Sequence, residues 1–173
     1  MGRAAAETVV RMGELSVSRT PGHALAGIGL GSCIGLVFVA SFEPVVGLAH
    51  IVLPHSKGIS DGSIGKFADR AVPALLEEMT ASGVAHPNLE VVLVGGARMF
   101  SMDSGSTLDI GRRNEQAARE ALISAGLPIR AAATGGNQGR TVRVYVDSGR
   151  VTVKEPGAPE TELFATERAG AVK

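Results

Sequence analysis

His23-Ala24-Leu25-Ala26-Gly27-Ile28-Gly29-Leu30-Gly31-Ser32-Cys33-Ile34-Gly35-Leu36-Val37-Phe38-Val39-Ala40-Ser41-Phe42 runs without an Asp, Glu, Lys or Arg, and its reading decides the fold. The length suits a membrane-spanning helix, which needs about 20 apolar residues. The composition does not. Gly27, Gly29, Gly31 and Gly35 interrupt it, Ser32 and Cys33 sit near its centre, and neither end carries a basic cluster or an aromatic belt. Two buried strands, residues 24–30 and 34–41, joined by a glycine-rich connection fit better, and no membrane insertion is expected.

Working outward, residues 8–17 read as one strand followed by Arg-Thr-Pro-Gly turn chemistry, and residues 45–53 as another strand ended by Pro54. Between residues 63 and 82, Ile64, Phe67, Ala68, Ala71, Val72, Leu75, Leu76 and Met79 recur at helical spacing before Gly83. Residues 89–94 form a strand, and residues 109–125 a second helix closed by Gly126. Strands follow at 129–133, 141–146 and 151–154, the last two as a hairpin across Asp147-Ser148-Gly149. Many strands with two long helices inserted predict a single-domain layered α/β fold with mixed or antiparallel sheets. The domain is expected to span residues 1–156. Residues 157–173, where Pro, Gly, Ala and Glu accumulate, are expected to be a loose tail or a short edge strand.

Lys plus Arg equal Asp plus Glu at 17 each, and there is one Tyr and no Trp. With neither a net positive field nor stacking faces, nucleic acid is not an expected partner. A lone cysteine permits no internal disulfide, and the N-terminal residues show no signal-peptide stretch, so the cytosol is the expected compartment.

Cys33 is flanked by small residues that let the backbone turn sharply, and N–H groups near Gly31 and Ser32 are candidate oxyanion donors. A free cysteine among aliphatic residues is more often an inert small hydrophobe. His50, in Gly47-Leu48-Ala49-His50-Ile51-Val52-Leu53-Pro54, alters that balance, because a histidine in a buried strand needs a hydrogen-bond partner. A thiol is one candidate, which gives Cys-His acyl-transfer chemistry; a backbone carbonyl is the other. The glycines of 27–31 do not form a dinucleotide loop, since the third glycine of that motif falls on Ser32. His23, Cys33, His50 and His55 lack paired ligand spacing, so neither a metal nor any other cofactor is expected. Arg112 and Arg113, beside Asn114, read as solvated surface.

Taken together, residues 29–33 (Gly-Leu-Gly-Ser-Cys), 47–54, 95–100 (Gly-Gly-Ala-Arg-Met-Phe), 110–114 (Ile-Gly-Arg-Arg-Asn) and 134–137 (Thr-Gly-Gly-Asn) resemble, in order and spacing, the CheD family of chemoreceptor glutamine deamidases. The resemblance implies an α/β/β sandwich similar to the catalytic domain of the cytotoxic necrotizing factor toxins. It implies conversion of receptor glutamines to glutamates with loss of ammonia. The implied partners are the cytoplasmic helices of methyl-accepting chemoreceptors and a CheC-type phosphatase. An alternative expectation is a weakly catalytic adaptor that docks on CheC or on receptor helices. By the same resemblance the nucleophile falls on Cys33 and the catalytic histidine on His50. The family's threonine, six positions before the cysteine, is here Gly27, whose backbone carbonyl is the remaining candidate to orient His50. An acidic residue often precedes the family's Thr-Gly-Gly turn, where this chain has Ala133.

Overall fold

The structure, a computed structural model, describes residues 5–59, 62–99 and 109–168. Phe100, which ends one of the motifs above, and residues 169–173 of the expected tail lie outside them. Among the described residues ten strands and two α-helices follow one another as β1 (Ala6–Val9), β2 (Leu15–Ser18), β3 (His23–Leu30), β4 (Ile34–Ala40), β5 (Val46–Ile51), α1 (Ala68–Ala81), β6 (Leu89–Gly95), α2 (Ile110–Ser124), β7 (Ile129–Thr134), β8 (Arg140–Tyr145), β9 (Val151–Lys154) and β10 (Thr161–Phe164).

The strands make two five-stranded sheets, one ordered β1-β3-β8-β9-β10 and the other β2-β5-β4-β6-β7. Pairing is antiparallel except for β1 with β3 and for β6 with β7, the latter joined through α2 as a parallel pair requires. Side-chain alternation then divides β4 between two cores. Ile34, Leu36, Phe38 and Ala40 face α1 and α2, whereas Val37 and Val39 meet Leu25, Val142 and Val144 of the other sheet. Helices on one sheet and a second sheet on its far face give the α/β/β sandwich.

The charge-free stretch is therefore two strands in different sheets. β3 belongs to the first and β4 to the second, and residues 31–33 carry the chain across between them. Among the described residues no helix is long and apolar enough to cross a membrane.

Two expectations need correction. Residues 8–17 are not one strand: the chain leaves the first sheet after Val9 and enters the second at Leu15. The reason is the turn at Gly13 (φ +83°), closed by Glu14 N–H to Arg11 O at 2.9 Å and by Arg11 N–H to the Glu14 carboxylate at 3.0 Å. The helix expected from residue 63 begins only at Ala68. Residues 63–67 instead bond to the 13–14 turn, with Gly65 N–H to Gly13 O at 3.0 Å, and Phe67 bridges Leu53. β10 lies along β9 at the edge of the first sheet.

Candidate active site

The β3–β4 crossing presents Cys33 one residue before β4. In the register of β4 with β5, Ile34 faces Ile51 and Gly35 faces His50. Alternation puts Cys33, Gly35 and Val37 on one face of β4, and Leu48 and His50 on the same face of β5, toward the space between the sheets. Cys33 and His50 thus stand diagonally across Gly35. In regular pairing diagonal neighbours are roughly 7–8 Å apart, within reach of a long side chain. Gly35 leaves this space tightly filled: a Cβ on it would lie 2.8 Å from Leu30 Cδ1 and 3.2 Å from Val142 Cγ1, so the Leu30 side chain would have to shift.

Both candidate residues are largely covered, Cys33 at 9% exposure and His50 at 5%. The His50 ring nitrogen Nδ1 lies 3.0 Å from the carbonyl oxygen of Val10. A carbonyl only accepts, so Nδ1 carries the hydrogen, and in the neutral ring Nε2 holds the lone pair. That Nε2 is buried and, among the described residues, meets no hydrogen-bond partner, the Cys33 thiol included. The strand around it is anchored twice more to the sheet-changing turn, by Gly13 N–H to His50 O at 2.8 Å and His50 N–H to Glu14 O at 2.9 Å. The backbone carbonyl that orients the histidine is thus Val10's and not Gly27's. Gly27 pairs with Val142 in β3–β8, and a Cβ there would point at Val142 Cγ1, 3.2 Å away.

Burial pushes the Cys33 thiol above its ordinary range, because the thiolate would lose its water. The structure therefore places a neutral thiol and an imidazole with an open ring nitrogen on one strand face, with no hydrogen bond between them. Such a pair suits proton transfer during attack better than a preformed thiolate.

Three successive carbonyls of the crossing are held from outside. Gly31 O accepts from Ala97 N–H at 2.8 Å, Cys33 O from Gly96 N–H at 2.9 Å, and Ser32 O from Asn114 Nδ2 at 2.9 Å. The N–H groups of Ser32 and Cys33 meet no acceptor among the described residues. Met99 lies against Gly31, 2.9 Å from where a Cβ would stand. The next ring of contacts holds this one. Arg98 N–H donates to Gly136 O at 2.8 Å, Gly135 N–H to Gly95 O at 3.0 Å, and the Arg140 guanidinium to Gly135 O at 2.8 Å. Segments far apart in the chain, 29–33, 47–54, 95–99, 110–114 and 134–137, thus converge on one place.

Two contributors to this geometry were given no role in the sequence reading, although Asn114 stands in one of its motifs. Val10 acts through its backbone, which leaves no mark on residue type; the only sequence signal is the Arg-Met-Gly-Glu break that ends β1. Asn114 stands beside two arginines whose solvated character masked it, yet its own side chain is fully buried. Its helical spacing to the buried Ala117, Ala118 and Leu122 was the available signal. Among the described residues no three His, Cys, Asp or Glu side chains gather as a metal-binding group.

The family model described as CheD chemotactic sensory transduction matches residues 52–155. A probable chemoreceptor glutamine deamidase CheD of Caldanaerobacter subterraneus subsp. tengcongensis is 45% identical over 150 residues, covering 86% of this chain and 92% of that protein. Proteins of the same description from Clostridium novyi and Methanococcus maripaludis are 39% and 36% identical, covering 87% and 84% of this chain and 94% and 93% of theirs.

Proposed function

The chain belongs to the CheD family, and from that premise we propose that it is a chemoreceptor glutamine deamidase in which Cys33 is the nucleophile and His50 the general base. The observation that carries the mechanism is the His50 ring, fixed by Val10 O through Nδ1 and open at Nε2, on the strand face shared with Cys33.

In the first half-reaction Nε2 takes the thiol proton as Sγ bonds to the side-chain amide carbon of a receptor glutamine. The carbonyl oxygen becomes an oxyanion, and the N–H groups of Ser32 and Cys33, with Gly31 giving the backbone room to turn, are the donors suited to it. Collapse breaks the C–N bond; the imidazolium returns its proton to the departing nitrogen, and ammonia leaves. The acyl group is then a thioester. His50 removes a proton from water, the hydroxide adds to the thioester carbon, and the C–S bond breaks to give glutamate and the free thiol. Each turnover adds one negative charge to a receptor helix, which alters its pairing with neighbouring charges. On this reading the protein works in the cytoplasm on receptor helices, and a CheC-type phosphatase is a proposed partner.

Gly27 and the raised thiol favour a second reading, a weakly catalytic adaptor docking on CheC or on receptor helices. One experiment separates the two. A receptor cytoplasmic fragment incubated with the wild-type protein gains about one dalton per converted glutamine by mass spectrometry, and Cys33→Ala and His50→Ala abolish the gain. A gain that persists with Cys33→Ala removes the nucleophile; no gain with the wild type leaves the adaptor.

A further inference from the structure

We propose that Asn114 is a positioning residue of the site, a clamp that holds the Cys33 crossing against the strand of His50 beyond the end of their ladder. This deepens the reading above and rests on it. Asn114 lies on the second turn of α2 and is 0% exposed. Its Nδ2 donates 2.9 Å bonds to Ser32 O and to Val52 O. Ser32 precedes the nucleophile by one residue, and Val52 follows the histidine by two. One side chain thus uses both amide hydrogens to join the two backbone segments whose relative placement sets the geometry of the dyad.

The chemistry leaves little freedom in this assignment. Both partners are carbonyl oxygens, so the NH2 end must face them; the flipped amide would set Oδ1 against two acceptors. The Oδ1 that remains is buried and, among the described residues, has no hydrogen-bond partner. The β4–β5 ladder ends at the Ile34–Ile51 pair, and the clamp carries the tie between the two segments past that end, to Ser32 and Val52. The position of α2 is itself fixed against the same loop. A Cβ on Gly111 would stand 2.3 Å from Ala97 O and 2.7 Å from Gly96 O. Gly96 and Ala97 in turn hold the Cys33 and Gly31 carbonyls. The clamp therefore has a rigid base.

A residue that merely supports the fold changes how much protein is folded, whereas a clamp changes how well each folded molecule works. The test uses the full chain and two readouts: kcat and KM on a receptor cytoplasmic fragment, and the rate of iodoacetamide alkylation of Cys33 at neutral pH. Wild type is expected to alkylate faster than His50→Ala, since Nε2 accepts the thiol proton. Asn114→Ala is expected to lower kcat at least about tenfold at unchanged KM, since misplacement by about 1 Å at a reacting group can cost about a hundredfold. Its alkylation is expected to fall to the level of His50→Ala, and the double variant Asn114→Ala/His50→Ala to fall no further. Asn114→Asp, nearly the same shape with a carboxylate facing the two carbonyls, is expected to behave likewise.

Additive losses in the double variant, or wild-type kcat in folded Asn114→Ala, overturn the clamp. So does failure of both Asn114 variants to fold, which assigns the residue to the fold alone. If the wild type alkylates no faster than His50→Ala, it is the Cys33–His50 pair that fails, a result distinct from the preceding ones.

Discussion

Gly95 is the position at which a single methyl group should separate the site from the scaffold. It ends β6 with φ +113°, and a Cβ built there falls 2.1 Å from Cys33 O and 3.2 Å from Cys33 C. Real Cβ atoms do not approach an oxygen so closely, so Gly95→Ala must move the Cys33 peptide by about 1 Å or change the backbone at 95. The first route breaks the bond from Gly96 N–H to Cys33 O, now 2.9 Å. The second gives up the turn that brings Gly96 and Ala97 onto the crossing. Backbone strain of about 1–3 kcal/mol and a lost hydrogen bond of about 0.5–1.5 kcal/mol put the destabilisation near 2–4 kcal/mol. A domain with a typical stability of about 5–15 kcal/mol stays folded after that loss. The loss of kcat should be larger in proportion, on the order of a hundredfold for a displacement of about 1 Å at the reacting residue. Gly83→Ala is the control, since Gly83 has φ +94° and a Cβ there meets nothing within 4 Å. It should cost about 1–2 kcal/mol of stability and no activity. Urea unfolding measures the first quantity and single-turnover deamidation of a receptor fragment the second. Wild-type kcat in Gly95→Ala would refute the reasoning, and so would an equal loss of kcat in Gly83→Ala.

Burial raises the thiol of Cys33, so at alkaline pH the unfolded chain ionises first and binds fewer protons than the folded one. The stabilisation is whole below the unfolded thiol value of about 8.5 and is lost as pH rises through the folded value, by at most about 1.4 kcal/mol per pH unit. Urea titrations from pH 7 to 10 should show this extra decline in the wild type and not in Cys33→Ser; parallel curves would remove the effect. Restoring the family's threonine with Gly27→Thr should cost about 1–3 kcal/mol by crowding Val142 and Leu30, and should not raise kcat. An increase in kcat would mean that His50 takes a partner other than Val10 O.

The sheets and helices were legible because periodicity reports burial, and burial is what β3, β4 and α1 have in common. The sequence showed that residues 23–42 form two strands around a glycine-rich link. It did not show that the link passes from one sheet to the other, because both strands are apolar wherever they lie. The error over residues 8–17 has the same origin. Val9, Leu15 and Val17 are suited to a strand in either sheet, and the Gly13 turn between them is visible only as a lone glycine. Ile64 and Phe67 matched a helical period, yet tertiary hydrogen bonds to the 13–14 turn claim that segment. Cys33 and His50 were legible as residue types, and their common face follows from the register that seats Gly35 opposite His50.

What residue types cannot report is a contact made by the main chain. The expectation that a backbone carbonyl orients the histidine named the right kind of partner but the wrong residue, Gly27 in place of Val10. His50 Nδ1 needs an acceptor, and any carbonyl presented at hydrogen-bond distance satisfies it. Val10 presents one because the chain changes sheets there, with Val10 N–H bonded to Ala26 O at 2.8 Å in the first sheet and Gly13 N–H bonded to His50 O in the second. The sheet change that defeated the strand prediction is thus what fixes the tautomer of the proposed base. A threonine at 27 would have no open nitrogen to serve: Nδ1 is occupied, and a bond to Nε2 would block the acceptor that the thiol proton requires. Glycine at position 27 is therefore compatible with the proposed proton-transfer pair. The residues that distinguish an aligned dyad from a displaced one are then those that set backbone against backbone, Gly95 and Asn114.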